Sequence, residues 1–381
     1  MFKTKQVFML GILCYFMQGL EGIGSQAFSF YLKNLGWSPS KAMYVGGLIS
    51  LAWVIKPLMG ILIDNFKTRK FWIMSSVVGS LFICSLIALK LPIWFVIPLM
   101  FFANWNTAQR DIACDGISCE VGKDEDNNHS IQSIQWGTIT ISGIIVGLVG
   151  GYITEHFHYS IGFLMLIPFY ILMLYMFKDL HIGKTEPKKI HVKELFVHKR
   201  FLWCCLFILF FNFSPGYGKA IYYLETDKFM WSQQFIGTMT AISAVCALLG
   251  AICYQKWFYK LNIKRVIVWS VLISAISSLA YLWITPIIDI SFTILFSYLG
   301  MIVKIATMTW MAKISINGLE STSFACLCGI SNLAAILSEF SGAFLLDKIG
   351  LNPLIIVSAT TSLICLLFIK KIFDTTTDNM V

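Results

Sequence analysis

The chain has 381 residues, of which 57% are hydrophobic and only 13% are charged, and its formal net charge is +9. Soluble domains carry about 25% charged residues, so this composition excludes an ordinary soluble protein and favours one with many membrane spans. The positive charge does not indicate nucleic-acid binding, because the basic residues cluster in short segments between apolar stretches.

Twelve stretches are long and apolar enough to form membrane-spanning helices, which need about 20 mostly apolar residues. In chain order they are residues 6–32, 40–62, 71–90, 93–119, 130–154, 157–177, 201–224, 232–254, 265–285, 288–313, 323–345 and 350–371. A polar, lysine-rich interval separates the sixth stretch from the seventh. We therefore predict an N-terminal six-helix half over residues 1–178, a cytoplasmic linker over 179–200 and a C-terminal six-helix half over 201–381.

The distribution of lysine and arginine predicts which side of the membrane each connection faces. Of the 29 basic residues, 20 fall on the side that carries both termini, five fall on the opposite side and four lie within spans. Because cytoplasmic loops are rich in Lys and Arg, we expect both termini in the cytoplasm. The expected location is the cell membrane, which the protein crosses many times.

The two predicted halves resemble each other weakly. Gly137 and Gly150 in the fifth span have the same separation as Gly329 and Gly342 in the eleventh. Two six-helix halves with a site at their interface are the architecture of the major facilitators. The predicted fold class is therefore an all-α integral membrane protein with twelve transmembrane helices in two halves, expected to act as a monomer. Other twelve-span folds share this layout.

Charged residues lie inside these otherwise apolar spans. A charge at the depth of the hydrocarbon costs at least ~2.5–3.5 kcal/mol on insertion scales, so such residues usually face a partner or a water-filled path. The eight residues are Glu21, Lys56, Arg110, Asp111, Asp115, Lys219, Lys304 and Glu339. Four positive and four negative charges at this depth predict a polar cavity within the membrane.

The connection between the second and third spans resembles the signature loop of the major facilitators, in which a glycine precedes an acid by four residues and a basic cluster follows. These positions are Gly60, Asp64 and Arg69. The glycine lets two helices approach closely, and the acid can pair with a basic residue or cap a helix across the interface of the halves. We predict a cytoplasmic gate here, with an ordinary positively charged loop as the alternative.

Two acids near the end of the fourth span lie on one face of a helix, because Asp111 and Asp115 are four residues apart. Neighbouring carboxylates influence each other's protonation, and so does a nearby cation. The pair therefore suits a proton-coupling group or an anchor for a ligand. The alternative is a structural ion pair, with Lys56 of the second span reaching Asp115 near the cytoplasmic rim.

Four sequence motifs in separate spans occur in a fixed order. Residues 15–19 read Y-F-x-Q-G, residues 53–60 read W-x-x-K-P-x-x-G, residues 111–120 read D-x-x-x-D followed by a glutamate, and residues 130–137 read S-x-Q-S-x-x-W-G. This set resembles the folate–biopterin transporter family, a branch of the major facilitators, over roughly residues 10–155. The second half resembles the family only in layout.

The resemblance implies a cavity for a flat pterin ring. The 2-aminopyrimidinone edge of that ring donates two hydrogen bonds, for which a carboxylate is the natural acceptor. Glu21 is our first choice for this acceptor and Asp111 is the second. Folates add a glutamate tail with two carboxylates, which Lys219 and Lys304 would suit.

Other candidate substrate-binding residues follow from the same resemblance. Flat rings need apolar or aromatic walls, for which we consider Trp53, Trp136 and Tyr217, with packing or anchoring at the membrane surface as the alternative. Gln135 offers donors and acceptors but could simply join helices. Arg110 stands where the family often has a small residue, so it can alter the charge that the cavity accepts.

The seventh span contains a predicted break at Pro215–Gly218, directly before Lys219. Interrupted helices free backbone groups, which is tolerated where a cavity or a neighbouring helix satisfies them. We interpret the break as a hinge or a substrate-facing kink. A tolerated proline kink without a role in transport is the alternative.

The sequence therefore predicts a secondary active transporter that moves folates or pterins by alternating access. Protons are the expected coupling ion, carried by Glu21, Asp111 or Asp115. No nucleotide-binding fingerprint occurs, and we expect neither an enzyme nor a metal, cofactor or nucleic-acid partner. The alternatives are transport of another anionic or zwitterionic solute, such as a nucleoside, an amino acid or a muropeptide-like compound, or a non-transporting receptor or assembly factor.

Overall fold

The computed structural model describes residues 2–121, 125–178, 199–314 and 320–373, and every regular element in these ranges is helical. Ten helices of the N-terminal part are α1 Phe2–Leu20, α2 Gly22–Asn34, α3 Pro39–Ser50, α4 Lys56–Asn65, α5 Arg69–Ala88, α6 Ile93–Val121, α7 Glu125–Ile145, α8 Gly151–His156, α9 Ser160–Leu164 and α10 Ile167–Lys178. Most of the predicted linker lies outside the described residues.

The C-terminal part has eight described α-helices. They are α11 Lys199–Asn212, α12 Gly218–Asp227, α13 Gln233–Cys253, α14 Ile263–Ala280, α15 Pro286–Lys313, α16 Glu320–Ile349, α17 Leu351–Ser362 and α18 Leu366–Phe373. Short 3₁₀ segments lie at Leu51–Trp53, Tyr281–Trp283 and Leu363–Cys365, and π-helical turns at Val146–Gly150 and Tyr254–Phe258. Several predicted spans therefore consist of two helical pieces.

Ten helical segments of the described chain are long and apolar enough to cross a membrane. The two predicted spans outside this set are α6, whose second half is polar, and the interrupted pair α11–α12. The protein is thus an all-α, multi-pass integral membrane protein. The count of twelve is reached when these two polar or broken segments are included.

Local sequence explains where several helices begin. At four starts a side chain just before the helix accepts a backbone N–H of the first turn, which otherwise lacks a partner. The four capping residues are Ser38, Thr68, Ser232 and Asn262. Each lies in a short connection between two helices, so these polar residues mark the points at which the next helix begins.

Hydrophobic packing separates the helices into two groups at the predicted boundary. One cluster of buried apolar residues lies within residues 7–177, and two smaller clusters lie within 201–372. Trp136 of α7 packs against both of the smaller clusters. The division into two independent halves stays a prediction, but the apolar cores are arranged as that division requires.

The two groups meet where helices cross closely. At the crossing of the 146–150 turn and α13, a Cβ added to Gly147 would lie 2.5 Å from the backbone nitrogen of Ala241, and one added to Gly237 would lie 2.4 Å from the carbonyl oxygen of Gly147. Small residues let membrane helices approach this closely. A second broad contact joins α3 and α4 to α16.

Candidate functional site

A cavity of about 410 Å³ lies between the two helix groups. Its walls come from α1, from the segment joining α3 to α4, from α6 and from α7 on one side, and from α15 and α16 on the other. Five of the eight predicted intramembrane charges line it: Lys56, Asp111, Asp115, Lys304 and Glu339. Its volume falls in the range of about 300–1,000 Å³ that small-molecule sites occupy.

Lys56 and Asp111 form a buried ion pair at the cavity wall. Their side chains are 8% and 5% exposed, and the Lys56 ammonium also lies 4.7 Å from the ring centroid of Trp53. The predicted alternative paired Lys56 with Asp115, and that choice of partner is wrong. The second span is interrupted at residues 51–55, which places Lys56 in the first turn of α4, level with Asp111 and one helical turn away from Asp115.

Asp115 is held by a tyrosine rather than by a cation. The Tyr15 hydroxyl donates to Asp115 Oδ1 at 2.7 Å, and no ion-pair partner of Asp115 occurs among the described residues. Asp111 and Asp115 both line the cavity, as their four-residue spacing predicts. One ammonium therefore accompanies two carboxylates on this face of α6.

The opposite wall carries Lys304 of α15. Its ammonium lies 4.9 Å from the ring centroid of Trp136, a cation–π distance, and it forms no ion pair with a described residue. Trp136 and Trp53 both line the cavity, which is where the sequence predicts aromatic walls. Trp53 is oriented by its Nε1–H, which donates to Asn104 Oδ1 at 2.7 Å.

Glu21 and Arg110 are not among the residues that line the cavity. Arg110 is 1% exposed and donates to Glu21 Oε1 at 2.6 Å. Tyr170 donates to the same oxygen at 2.6 Å, and Thr107 donates to Oε2 at 2.5 Å. Both oxygens of Glu21 are thus engaged inside the N-terminal helix group, where they tie the α1–α2 junction to α6 and α10.

Gln135 also faces away from the cavity, while its neighbour Gln132 lines it. Gln135 is completely buried, and its amide nitrogen donates to Ser118 Oγ at 3.2 Å. The contact joins α7 to α6. The sequence left two interpretations of Gln135 open, substrate binding and the joining of helices, and the geometry favours the second.

Lys219 and Tyr217 lie outside the central cavity. Lys219 donates to Ser29 Oγ at 3.1 Å and lines a separate cavity of about 150 Å³, which shares only Ser50 with the central one. Tyr217 donates to Ser278 Oγ at 3.1 Å and lines a groove of about 770 Å³ between α14 and α15. The predicted substrate residues are therefore divided among four places: the central cavity, these two further cavities and the interior of the N-terminal helix group.

The predicted break in the seventh span is present. Helix α11 ends at Asn212 and α12 begins at Gly218. Backbone N–H groups freed by the break donate to α16: Gly216 N to the carbonyl oxygen of Ser338 at 2.8 Å and Ser214 N to its hydroxyl at 3.2 Å. The break is thus fixed against the helix that carries Glu339.

The proposed gate residues are only partly described. Arg69 is buried at the start of α5 and packs on α6, where a Cβ on Gly116 would lie 2.8 Å from its Nε. A Cβ on Gly60 would lie 3.8 Å from Ile112 Cγ2 of the same helix. The side chain of Asp64 lies outside the described residues, so a latch at this loop stays a prediction.

The two helix groups are joined at the end of the bundle where α2 leads into α3 and α12 leads into α13. We call this the distal end. Lys33 and Asp227 form an ion pair at 2.7 Å, and the ring of Phe30 stacks on Tyr222 with 5.1 Å between centroids. The Tyr223 hydroxyl donates to the carbonyl oxygen of Trp37 at 2.5 Å. These contacts join the two groups at the distal end.

Most of the α16 wall was not predicted from the sequence. Its cavity-lining residues follow helical spacing: Phe324, Cys328, Ser331, Asn332, Ala335, Ile336 and Glu339. A polar stripe at this spacing in an otherwise apolar helix is a signal that could have revealed the wall. The buried acid Asp289, which is 2% exposed and contacts the carboxyl group of Glu225, was not predicted either.

Comparison with known families agrees with this architecture. A model of the BT1 family matches residues 18–376. The folate-biopterin transporter of Synechocystis sp. is 26% identical over 369 residues, which cover 89% of this chain and 74% of that protein. Folate transporter 1 of Plasmodium falciparum is 21% identical over 394 residues, covering 93% of this chain and 77% of that protein.

Solved structures show the same fold at low sequence identity. A POT family transporter in complex with a thioalcohol conjugated peptide superposes with a TM-score of 0.76 at 12% identity, covering 99% of this chain and 96% of that one. The nucleoside transporter NupG gives 0.70 at 13% identity, covering 97% and 100%. The fold is that of the major facilitators, as predicted. Since the family model spans nearly the whole sequence, this chain belongs to the BT1 family, whose members are membrane transporters rather than enzymes.

Proposed function

We propose that this protein is a secondary active transporter that moves folates or pterins across a membrane by alternating access of the central cavity. The observation that carries the proposal is the cavity itself. It lies between two helix groups and is lined by charges from both, and further contacts join the groups at the distal end. Relatives along nearly the whole chain are named as folate or folate-biopterin transporters.

The chemistry of the walls suits a folate. Lys304 has no ion-pair partner among the described residues, so its charge is available to a carboxylate of the substrate. Trp53 and Trp136 supply flat apolar surface for a ring. A substrate with an aromatic ring and an anionic tail would therefore use both features of the cavity.

We further propose that transport is coupled to protons through the acids of α6. Asp111 and Asp115 share a face with a single ammonium, from Lys56. A site with two carboxylates and one cation can hold one proton without creating excess positive charge. Glu21 is a weaker candidate, because both of its oxygens already accept hydrogen bonds.

Other parts of the proposal rest on the sequence pattern. The 20-to-5 distribution of basic residues supports both termini in the cytoplasm, with the cell membrane as the location. The separate apolar clusters support two six-helix halves. A single chain encloses the whole cavity, which supports transport by a monomer.

Uptake of radiolabelled folate into proteoliposomes tests the function. We expect uptake to be faster when the outside is more acidic than the inside, and to be inhibited by unlabelled pterin rather than by nucleosides or amino acids. Replacement Asp115→Asn should abolish the response to the pH gradient while folate exchange without a gradient persists. Asp347→Asn, at an exposed position of α16, is the matched control.

Two outcomes would contradict these proposals. If neither folate nor any pterin binds or is taken up, while a nucleoside or an amino acid is, the substrate assignment fails. If collapsing the gradient leaves net uptake unchanged, proton coupling fails and the substrate assignment stands.

A further inference from the structure

Glu339 of α16 is a cavity-lining acid without a described partner. Its Oε2 atom is buried and accepts no hydrogen bond from any described residue. It forms no ion pair within the described chain. A carboxylate at membrane depth without a donor is costly unless something else supplies one.

The other acids near the centre of the bundle are already engaged. Glu21 accepts from an arginine, a tyrosine and a threonine. Asp111 pairs with Lys56, and Asp115 accepts from Tyr15. Among these four acids of the described chain, Glu339 alone has a buried carboxylate oxygen without a hydrogen-bond partner.

The backbone around Glu339 is held in place. Ser338 accepts hydrogen bonds from the N–H groups of Ser214 and Gly216 in the break between α11 and α12. On the other side, the Asn332 amide donates to the carbonyl oxygen of Trp53 at 3.3 Å. Lys219 lies near enough to interact electrostatically with Glu339, but its ammonium donates to Ser29 Oγ and forms no ion pair with that carboxylate.

The cavity has a complementary cation on the neighbouring helix. Lys304 of α15 lies over Trp136, with no ion-pair partner among the described residues. The two unpaired charges differ in sign and line the same 410 Å³ cavity. A ligand that satisfies both must present N–H donors at one position and a carboxylate at another.

We propose that Glu339 accepts the two parallel N–H groups of the 2-aminopyrimidinone edge of the pterin, while Lys304 binds the carboxylate tail of a folate. A carboxylate matches two parallel donors in a bidentate arrangement. This assignment rests on the proposed function and specifies how the site recognises its substrate. It places the ring acceptor on the C-terminal helix group rather than at Glu21.

Binding of the two halves of folate tests the assignment. The ligands are 6-hydroxymethylpterin, which lacks the tail, and p-aminobenzoylglutamate, which lacks the pterin. We expect Glu339→Gln to weaken binding of the pterin fragment by about tenfold or more, with the tail fragment unaffected. Lys304→Gln should give the reverse pattern, and Asp347→Asn should change neither affinity.

A modified ligand supplies a second readout. A pterin with the 2-amino group replaced by methyl should bind the wild-type protein about tenfold or more weakly than the parent. In Glu339→Gln the methyl analogue should lose no such further affinity relative to the parent pterin, because the acceptor of the 2-amino group is already altered. If Glu339 acted only in folding, Glu339→Gln would lower the affinity for both fragments. The variant would still bind the parent pterin more tightly than the 2-methyl analogue.

The possible failures are distinguishable. If the wild-type protein binds folate and Glu339→Gln keeps full affinity for the pterin fragment, the assignment of Glu339 is overturned and the proposed function stands. Equal loss of both fragments in Glu339→Gln also overturns it. If the wild-type protein binds neither fragment nor folate, the proposed function itself fails.

Discussion

Lys56 and Asp111 neutralise each other inside the membrane, where neither charge could remain alone at low cost. The Trp53 ring covers the ammonium, and α6 supplies the carboxylate. Desolvation of both groups offsets much of their attraction, so such a pair contributes little net stability compared with apolar residues. Removing one partner is different, because it leaves an uncompensated charge.

We therefore expect Lys56→Ala to destabilise the protein by about 3–5 kcal/mol, and Asp111→Leu to do the same. The double replacement Lys56→Met with Asp111→Leu should recover most of that loss, but transport should remain impaired because both side chains line the cavity. Thermal unfolding in detergent measures stability, and proteoliposome uptake measures transport.

A control is available at the exposed pair Lys33–Asp227. Lys33→Ala should change stability by no more than about 1 kcal/mol, because surface ion pairs contribute little. If the loss of stability in the double variant at Lys56 and Asp111 equalled the sum of the losses in the two single variants, the two residues would not be energetically coupled.

At the scale of single residues, the sequence identified the intramembrane charges but not their pairing. Insertion cost and helical spacing single out Glu21, Asp111 and Asp115. The partner of each depends on where a helix is interrupted and how it is rotated. Tyr170, which binds Glu21 across 149 residues of chain, gives no local signal at all.

Helix α16 and the break before α12 form one packed element. A Cβ on Gly342 would lie 1.9 Å from the carbonyl oxygen of Gly216. Backbone cannot yield as a flexible side chain does, so only glycine fits here. This contact lies about one helical turn from Glu339, which lines the cavity.

Gly342→Ala should accordingly separate α16 from the break. We expect a loss of about 1–3 kcal/mol or more in stability, as for overpacked sites, together with weaker folate binding. Thermal unfolding and folate binding in detergent measure the two effects.

Gly300→Ala in α15 is the matched control, since nothing lies within 4 Å of the position of its added Cβ. It should leave folate binding unchanged and alter stability by no more than about 1 kcal/mol, the difference between Gly and Ala in helices. Equal behaviour of the two variants would show that the contact at Gly342 has no special role.

The positions of the helices were easier to predict from the sequence than most of the points at which they are interrupted. Apolar length located the helices, and Pro215 with its two neighbouring glycines located the break in the seventh span. The interruptions at Glu21 and at residues 51–55 were not predicted. Both nevertheless have a local signal. Pro57 has no N–H to donate to the carbonyl oxygen of Trp53, and its ring crowds that oxygen, which interrupts the second span at residues 51–55. Gly19 and Gly22 border the interruption at Glu21.

For the whole molecule, the contacts at the distal end and the charged central cavity are features of one state of the proposed transport cycle. Lys33–Asp227, Phe30–Tyr222 and Tyr223–Trp37 all join the N-terminal helix group to the C-terminal one. Alternating access requires these contacts to separate when the cavity opens toward the distal end. In the proposed mechanism, these contacts form the gate that opens on that side.

Covalent closure of the distal end should stop transport while leaving the cavity intact. We expect a variant with Lys33→Cys and Asp227→Cys, treated with a short bifunctional thiol reagent that is cleaved by reductant, to lose most of its folate uptake. Because neither residue lines the central cavity, folate binding should persist, and uptake should return after reduction. Each single variant, treated identically, controls for reaction with the eleven native cysteines. Full uptake by a completely cross-linked protein would show that the distal contacts do not separate during transport.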